Sequence, residues 1–526
     1  MKKSLLFFLM VFISTTCHPQ NCFENFIESD DGVVREAMHV VETGDHGFIV
    51  SCCACYDKIF LNDMLVRITA DGEITNRLVF QINEKNLKYC GLYNCPGHDD
   101  EYLAIAVLTS GNSYTSYYQN ELAFLRFDLE LNLISQNICS LGDDYINMAT
   151  YSQMDLPRFM IGDDGTFFMA AHCLKTDGYC YLFAQITAEG EIVRTKEDTS
   201  INEREDFLFD LFARDNGGYG MIKVYNHDHG GDFYYTVDSS MNCVRVARLS
   251  GITIMEVQSN PQYLDTTFYY TQTRGSGVAY DDTTFLITCS GNYLRHIGGN
   301  QGNAHFIARV NDSLDVLEAR TWESIQSSFM LRLVACVKAL SVSDNAIFHC
   351  GINGLHGHGQ IYTNSFTKSV ISVSKFDKEM NLVWRRHYST NNNMYDMNVI
   401  QATEDGGCII TGISAPEQDF TSRKMSYVLK LNAEGYDGMG ESADIIAKPY
   451  YYYPNPAQDN LYIEFSPDVR CLSIEIYSLD GHLLETFKET SLQNGVIDIS
   501  CLNTGFYIMK IKMLDGNEFS ERIVKE

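Results

Sequence analysis

The sequence predicts an all-β protein: a seven-bladed β-propeller over residues 21–445, then a small C-terminal β-sandwich. Two repeated patterns and one change of pattern carry this reading. In the first pattern an acidic or Asn–Gly turn precedes an aromatic or apolar strand. It appears in "ETGDHGFIVSC" (Glu42 to Cys52), "GDDGTFFMAA" (Gly162 to Ala171), "RDNGGYGMIKV" (Arg214 to Val224) and "TEDGGCIITG" (Thr403 to Gly412). Weaker copies are "HDDEYLAIAV", "YDDTTFLITCSG" and "SDNAIFHCG". In the second pattern a strand, a polar turn and another strand follow each copy, as in "VRITADGEI", "LRFDLELNL" and "SKFDKEMNL". Both are hairpin chemistry.

The copies are paced by Phe48, Tyr102, Phe167, Tyr219, Phe285, Ile347 and Cys408, spaced 52 to 66 residues apart. An apolar segment before the first turn ("AMHVV", "FLFDLF", "NVIQA") brings each unit to four short strands. Such units cannot bury their faces alone and close into a ring. The seventh unit lacks a convincing fourth strand. "CFENFIES" (Cys22 to Ser29) is expected to fill that place and remove two sheet edges at once, with Ser442 to Lys448 as the rival strand.

Ahead of the first unit, "MKKSLLFFLMVFISTTCHPQ" has two lysines, an apolar run from Leu5 to Ile13 and small polar residues. That is the layout of a secretory signal peptide over residues 1–20, too short to span a membrane. "STTC" lacks the aliphatic residue that would mark Cys17 for lipidation. The net charge of −29 excludes non-specific nucleic-acid binding, which needs basic surface. Export permits disulfides among the 17 cysteines. Cys173 and Cys180 flank a short turn and are placed to clip a hairpin; Cys90 and Cys95 form a second such pair, whereas Cys350 and Cys408 read as core.

Beyond residue 450 the pattern changes. "YYYPNPAQDN" opens with tyrosines and two prolines, and the apolar–polar alternation of "LYIEF", "LSIEIYSLDGHLLETF" and "GFYIMKIKM" follows. Residues 446–456 read as a linker stiffened by Pro454 and Pro456, and 457–526 as a sandwich of six or seven strands. The run Tyr453-Pro454-Asn455-Pro456-Ala457, then Asp480-Gly481, then Gly505 and Tyr507, resembles the C-terminal sorting domain of type IX secretion cargo in Bacteroidetes. The resemblance covers residues 451–526, with His482 where that family usually carries Arg or Lys. It implies recognition by the type IX machinery, passage across the periplasm, and release or attachment at the outer surface. The propeller units also look like those of other cargo of this route.

No zinc-protease, hydrolase-elbow, P-loop or dinucleotide-binding pattern appears. The acidic turns Asp163-Asp164, Asp281-Asp282 and Glu404-Asp405 recur at one structural place and read as turn caps rather than catalytic pairs. Loops between second and third strands carry His227, His229, His296, His356 and His358, weak candidates for a metal, together with Tyr114, Tyr117 and Tyr118, candidates for a binding face. No catalytic residue and no cofactor is indicated. The reading is a non-catalytic binding module for an extracellular protein or glycan. Its alternatives are an enzyme acting on polysaccharide in the propeller channel, or a structural surface component.

Overall fold

The computed structural model describes residues 22–54, 61–109, 120–142, 145–147, 156–162, 164–175, 178–199, 206–214, 217–225, 233–248, 253–255, 266–269, 276–281, 283–295, 301–323, 332–355, 370–388, 393–416, 424–436, 450–453, 457–465, 471–478, 481–488, 496–513 and 518–525. Every regular element among them is a β-strand. The chain divides into two units, Met1–Ala443 and Asp444–Glu526.

In the first unit, antiparallel sheets follow one another along the chain. The first contains Arg35–Glu42, Phe48–Ala54, Met64–Ile68 and Ile74–Leu78; the second contains Asn86–Asn94, Tyr102–Thr109, Glu121–Phe127 and Leu133–Ser140. Burial falls from the second strand to the fourth. Every residue of Phe48–Ala54 and Tyr102–Thr109 is buried, whereas Leu133–Ser140 and Ile192–Asp198 are mostly exposed. Second strands are covered on both faces and therefore read as apolar runs, while fourth strands meet water.

The fourth set is Asp206–Arg214, Gly218–Tyr225, Phe233–Val237 and Cys243–Arg248. The sixth (Arg332–Val342, Ile347–Leu355, Val370–Phe376 and Leu382–Tyr388) and the seventh (Asn393–Ala402, Cys408–Pro416 and Met425–Leu431, with Phe23–Ile27) are joined into one eight-stranded sheet by a parallel bridge, Lys338 opposite Val399. The third and fifth also depart from four strands. In the third, Tyr145–Asn147 and Arg158–Ile161 both pair with Phe167–Lys175. The fifth has six strands, because Thr266–Tyr269 and Ser276–Asp281 share the long partner Thr284–Arg295 and Thr253–Met255 adds outside. The insertion between the fourth and fifth copies thus forms strands of its own.

Apolar clusters join each sheet to the next. First and second share Met38, Ile49 and Leu65 with Tyr89, Ala106 and Leu125. Further clusters link second to third, third to fourth, fifth to sixth and sixth to seventh. Between fourth and fifth, Phe285 packs on Phe212 and Tyr234 at 5.2 and 4.8 Å. The last cluster joins seventh to first through Val399, Ile409 and Val428 against Ala37, Val50 and Val66. The first strands touch in the same order and return to the start.

The seam is made by the N-terminal strand. Phe23–Ile27 pairs antiparallel with Met425–Leu431, from Phe23 opposite Lys430 to Ile27 opposite Ser426. Alternation sends Phe23 and Ile27 into the cluster shared with the first sheet and Phe26 against the cluster shared with the sixth. The rival strand, 442–448, lies outside the described residues.

One turn follows a third strand seven times, starting at Thr69, Asp128, Thr187, Asp238, Asn311, Asp377 and Asn432. In each, the first N–H donates to the carbonyl four residues on, and the fourth N–H donates back to the first carbonyl. The fourth residue has positive φ: Gly72, Gly190 and Gly435 in three copies, and Leu131, Met241, Leu314 and Met380 in four. A left-handed non-glycine costs about 1–2 kcal/mol. These four side chains are all buried, which offsets it by roughly 1.5–3 kcal/mol. Where glycine stands, a neighbour takes the space: a Cβ on Gly72 would lie 2.6 Å from the Phe23 ring.

The second unit holds two sheets, Tyr450–Tyr453, Asn460–Phe465 and Val496–Asp498 in one and Leu483–Lys488, Cys471–Ser478, Gly505–Met513 and Glu518–Lys525 in the other. They share one core of Leu461, Ile463, Ile474, Ile476, Ile497 and Ile511. Here the structure differs from the linker assigned to 446–456. Tyr450–Tyr453 pairs with Asn460–Phe465, so the two prolines connect partners within this unit. The tyrosines are strand formers as well as a prelude to the prolines.

Candidate functional site

Six of the first strands carry polar residues among apolar ones: His39, Lys88, Arg158, Asp210, Lys338 and Asn398. Pairing is bulged at several of these places, between Ala37 and His39, Leu208 and Asp210, Ala335 and Leu340, and Met397 and Val399. A bulge places two residues opposite one and re-aims a side chain. His39 and Asp210, on different first strands, both feel the charges of Arg158 and Lys338, which come from two further first strands.

Asp210 is buried and accepts hydrogen bonds from Ser276 Oγ at 2.9 Å and Gly277 N at 2.8 Å on the next sheet. Burial pushes its carboxyl above the usual range, while Lys338, the two hydrogen bonds and Arg158 oppose that push. Asp63 works in the same way at the seam between the first and second sheets. It accepts from Lys88 Nζ at 2.9 Å, Ala54 N at 2.9 Å and Tyr89 N at 2.8 Å. Asn398 Nδ2 donates to Ala37 O at 3.1 Å across the last seam.

His39 is depressed to about 3, first by burial and then by Arg158 and Lys338; His387 falls to about 4 through burial and Arg385. A depressed histidine favours folding above its unfolded value near 6.5, and that contribution is lost as pH falls toward the folded value. The expected loss is up to about 1.4 kcal/mol per pH unit for each histidine, less for His39 to the extent that solvent reaches its ring. Urea midpoints taken between neutral pH and pH about 4.5 check this, with His39→Gln flattening the curve. Asp210 and Glu42, both raised chiefly by burial, act with opposite sign, so the variant comparison isolates the histidine.

The acidic turns are caps, as their recurrence predicts. Asp164 Oδ1 accepts from Thr166 N at 3.0 Å, and Asp281 Oδ1 from Thr283 N and Thr284 N at 2.9 and 2.8 Å. Asp405 accepts from Gly407 N at 3.0 Å and Lys430 Nζ at 2.7 Å, and Asp45 accepts from Arg67 Nη2 at 2.7 Å. For Asp45, Asp281 and Asp405 burial alone raises the carboxyl, but these partners outweigh it and hold the value low. Asp163 and Asp282 lie outside the described residues.

The histidine loops (His227, His229, His296, His356, His358), the tyrosine loop (Tyr114, Tyr117, Tyr118) and the signal segment also lie outside the described residues. Cys173 and Cys180 stand directly opposite each other in a hairpin, both buried. The Cys90–Cys95 pairing is not borne out. Both follow one another along a single extended stretch, and five residues of strand span about 16 Å, beyond disulfide reach.

In the tail, Ala457 is buried and its N–H donates to Val524 O at 2.8 Å, holding the start of the motif against the last strand. Gly481 has φ +84° and donates to Ser478 O at 3.0 Å, which repeats the turn that follows third strands in the first unit. Tyr507 Oη donates to Asn503 O at 2.7 Å, beside Gly505 at the head of its strand. Tyr453 ends the first strand; Pro454, Asn455, Pro456 and Asp480 lie outside the described residues. Residues 451–526 match the family described as "Secretion system C-terminal sorting domain".

The tail is a type IX sorting domain. The sorting domain implies interaction with the type IX machinery of Bacteroidetes and export beyond the periplasm, to the surface or the medium. Among the described residues no helix is long and apolar enough to cross a membrane. No curated protein matches the chain. Similar solved structures include polysaccharide lyase Uly1, at 10% identity and TM-score 0.41 over 76% of this chain and 90% of that one. The β-propeller domain of the trilobed protease from Pyrococcus furiosus matches at 9% and 0.37 over 77% and 99%. A point mutant of the NanB sialidase from Streptococcus pneumoniae matches at 11% and 0.37 over 78% and 71%. Likeness at this level assigns no activity to the chain.

Proposed function

We propose that the first unit is a seven-bladed propeller, the sorting domain a small β-sandwich, and the whole an exported, non-catalytic binding module for an extracellular protein or glycan. The seven copies of the turn that follows a third strand and the closed cycle of first strands support the blade count. The observation that carries the binding reading is the use made of the Asp210 carboxylate. Asp210 commits its oxygen to Ser276 and Gly277 of the neighbouring sheet, a structural tie rather than one half of an acid–base pair.

The ligand face is the loop face bearing Tyr114, Tyr117 and Tyr118, with the histidine loops as its other contributors. The test is saturable binding of the purified chain from residue 22 to an array of matrix proteins and glycans. Weakening of at least tenfold on joint replacement of Tyr117, Tyr118, His227 and His356 supports the reading. An array without any binder, together with release of sugar from a polysaccharide panel, overturns it in favour of the enzyme.

We also propose that Cys173 and Cys180 are joined in the exported protein. The two are direct cross-strand partners, so a small local adjustment brings their Cβ atoms to the separation a disulfide needs. Burial raises the Cys173 thiol well above its usual value, so the bond forms by exchange with a disulfide-donor protein before the hairpin packs. Closing so short a loop contributes about 2.5 kcal/mol. Intact mass should show two hydrogens fewer than the reduced chain, and peptide mapping should join the two cysteines; unlinked peptides from exported protein refute it.

A further inference from the structure

The first-sheet turn Glu42–Gly47 and the seventh-sheet turn Thr403–Gly407 meet at the ring-closing seam. Glu404 N donates to Glu42 Oε2 at 2.9 Å across 362 residues of chain. His46 adopts φ +61°, and its Nδ1 lies 3.7 Å from Glu42 Oε1 and 3.6 Å from Glu404 Oε2. One donor atom from each of the three residues falls within 4.8 Å of the others.

Those separations fit a metal better than they fit hydrogen bonds. Zinc–nitrogen and zinc–oxygen bonds of about 2.0–2.2 Å place tetrahedral donors about 3.3–3.6 Å apart. The 3.6 Å spacing lies in that range and the 3.7 Å spacing just above it, both beyond hydrogen-bond length. The neighbouring acids are engaged elsewhere, Asp45 by Arg67 and Asp405 by Lys430, so the turns leave Glu42, Glu404 and an imidazole facing one another. Glu404 and the His46 ring are exposed, so a cation has free entry.

We propose that Glu42, His46 and Glu404 form a binding site for a divalent transition-metal cation, zinc by preference, with water completing the coordination. One imidazole and two carboxylates suit zinc and its first-row neighbours, whereas calcium is served by oxygen alone. The ion clips the first sheet to the seventh, and its binding adds to the stability of the closed form. This face bears the first-to-second-strand turns.

The test uses the full chain, stripped with chelator and titrated with zinc chloride or calcium chloride. His46→Asn keeps a residue that tolerates positive φ, and Glu404→Gln changes an exposed side chain, so both should fold with unaltered metal-free unfolding temperatures. Zinc should bind the parent with one equivalent more than either variant, or at least tenfold tighter, and raise its unfolding temperature more. Hydrogen exchange at Phe23–Ile27 and at residues 403–407 should slow with zinc in the parent only. Equal zinc stoichiometry and affinity in parent and variants, or exchange at the seam indifferent to zinc, overturns the site. A response to calcium that matches zinc overturns the assignment of the ion.

Discussion

Removing residues 22–29 should abolish cooperative unfolding of the first unit and drive the chain to aggregate. The strand Phe23–Ile27 supplies the outer partner of Met425–Leu431, and without it that edge presents unpaired N–H and C=O groups to any passing strand. Side-chain ties are lost as well. Asn25 Nδ2 donates to Gly72 O at 2.8 Å, Tyr427 Oη donates to Glu24 Oε1 at 2.8 Å, and Phe26 packs on Tyr427 at 5.3 Å. A milder version is Phe23→Ala. Phe23 covers Gly72 and meets Phe48 edge-on at 6.0 Å, so truncation should cost about 3–5 kcal/mol. Denaturant titration followed by circular dichroism, with light scattering for the deletion, measures both. A deletion variant that stays monomeric and unfolds in one transition at the parent's midpoint would refute the seam as the keystone.

The second large effect belongs to Asp63. Its side chain is wholly buried beside the Lys88 ammonium, and it answers three donors from two sheets. Asp63→Ala leaves a buried cation and two backbone N–H groups without partners, at an expected cost of about 3–5 kcal/mol. Asp63→Asn, which keeps acceptor capacity, should cost less. Adding Lys88→Met to Asp63→Ala should recover part of the loss, since the stranded charge goes but the two amides stay unanswered. Full recovery in the double variant would mean that the carboxylate's backbone bonds contribute nothing.

The repeats were legible because turns are local. Positive φ asks for glycine or a short polar neighbour, and "TADGE", "TAEGE" and "NAEGY" state this within five letters. The copies with Leu131 and Met380 are harder to see, because burial rather than backbone preference chose the residue. The closing strand was legible by subtraction, from a unit one strand short. The role of the polar residues in the first strands was not. "FLFDLF" reads as an apolar strand, and nothing in its letters says that Asp210, beside a bulge, feels the charges of Arg158 and Lys338, which are distant in sequence. A signal was present: one polar residue interrupts several apolar first strands. The Glu42–His46–Glu404 group is invisible for a similar reason, since two turns separated by nearly the whole unit supply it.

The position of the closing strand also orders events during synthesis. Phe23–Ile27 emerges first and waits for Met425–Leu431, so the longest-range pairing in the unit forms last, after the largest loop-closure cost has been met. The sorting domain lies farther along the chain still, at 451–526. A chain truncated by premature termination before residue 425 therefore lacks its closing partner and its export address together. Chain order itself screens the cargo: an unfinished product, with an open and sticky edge, carries no ticket across the outer membrane.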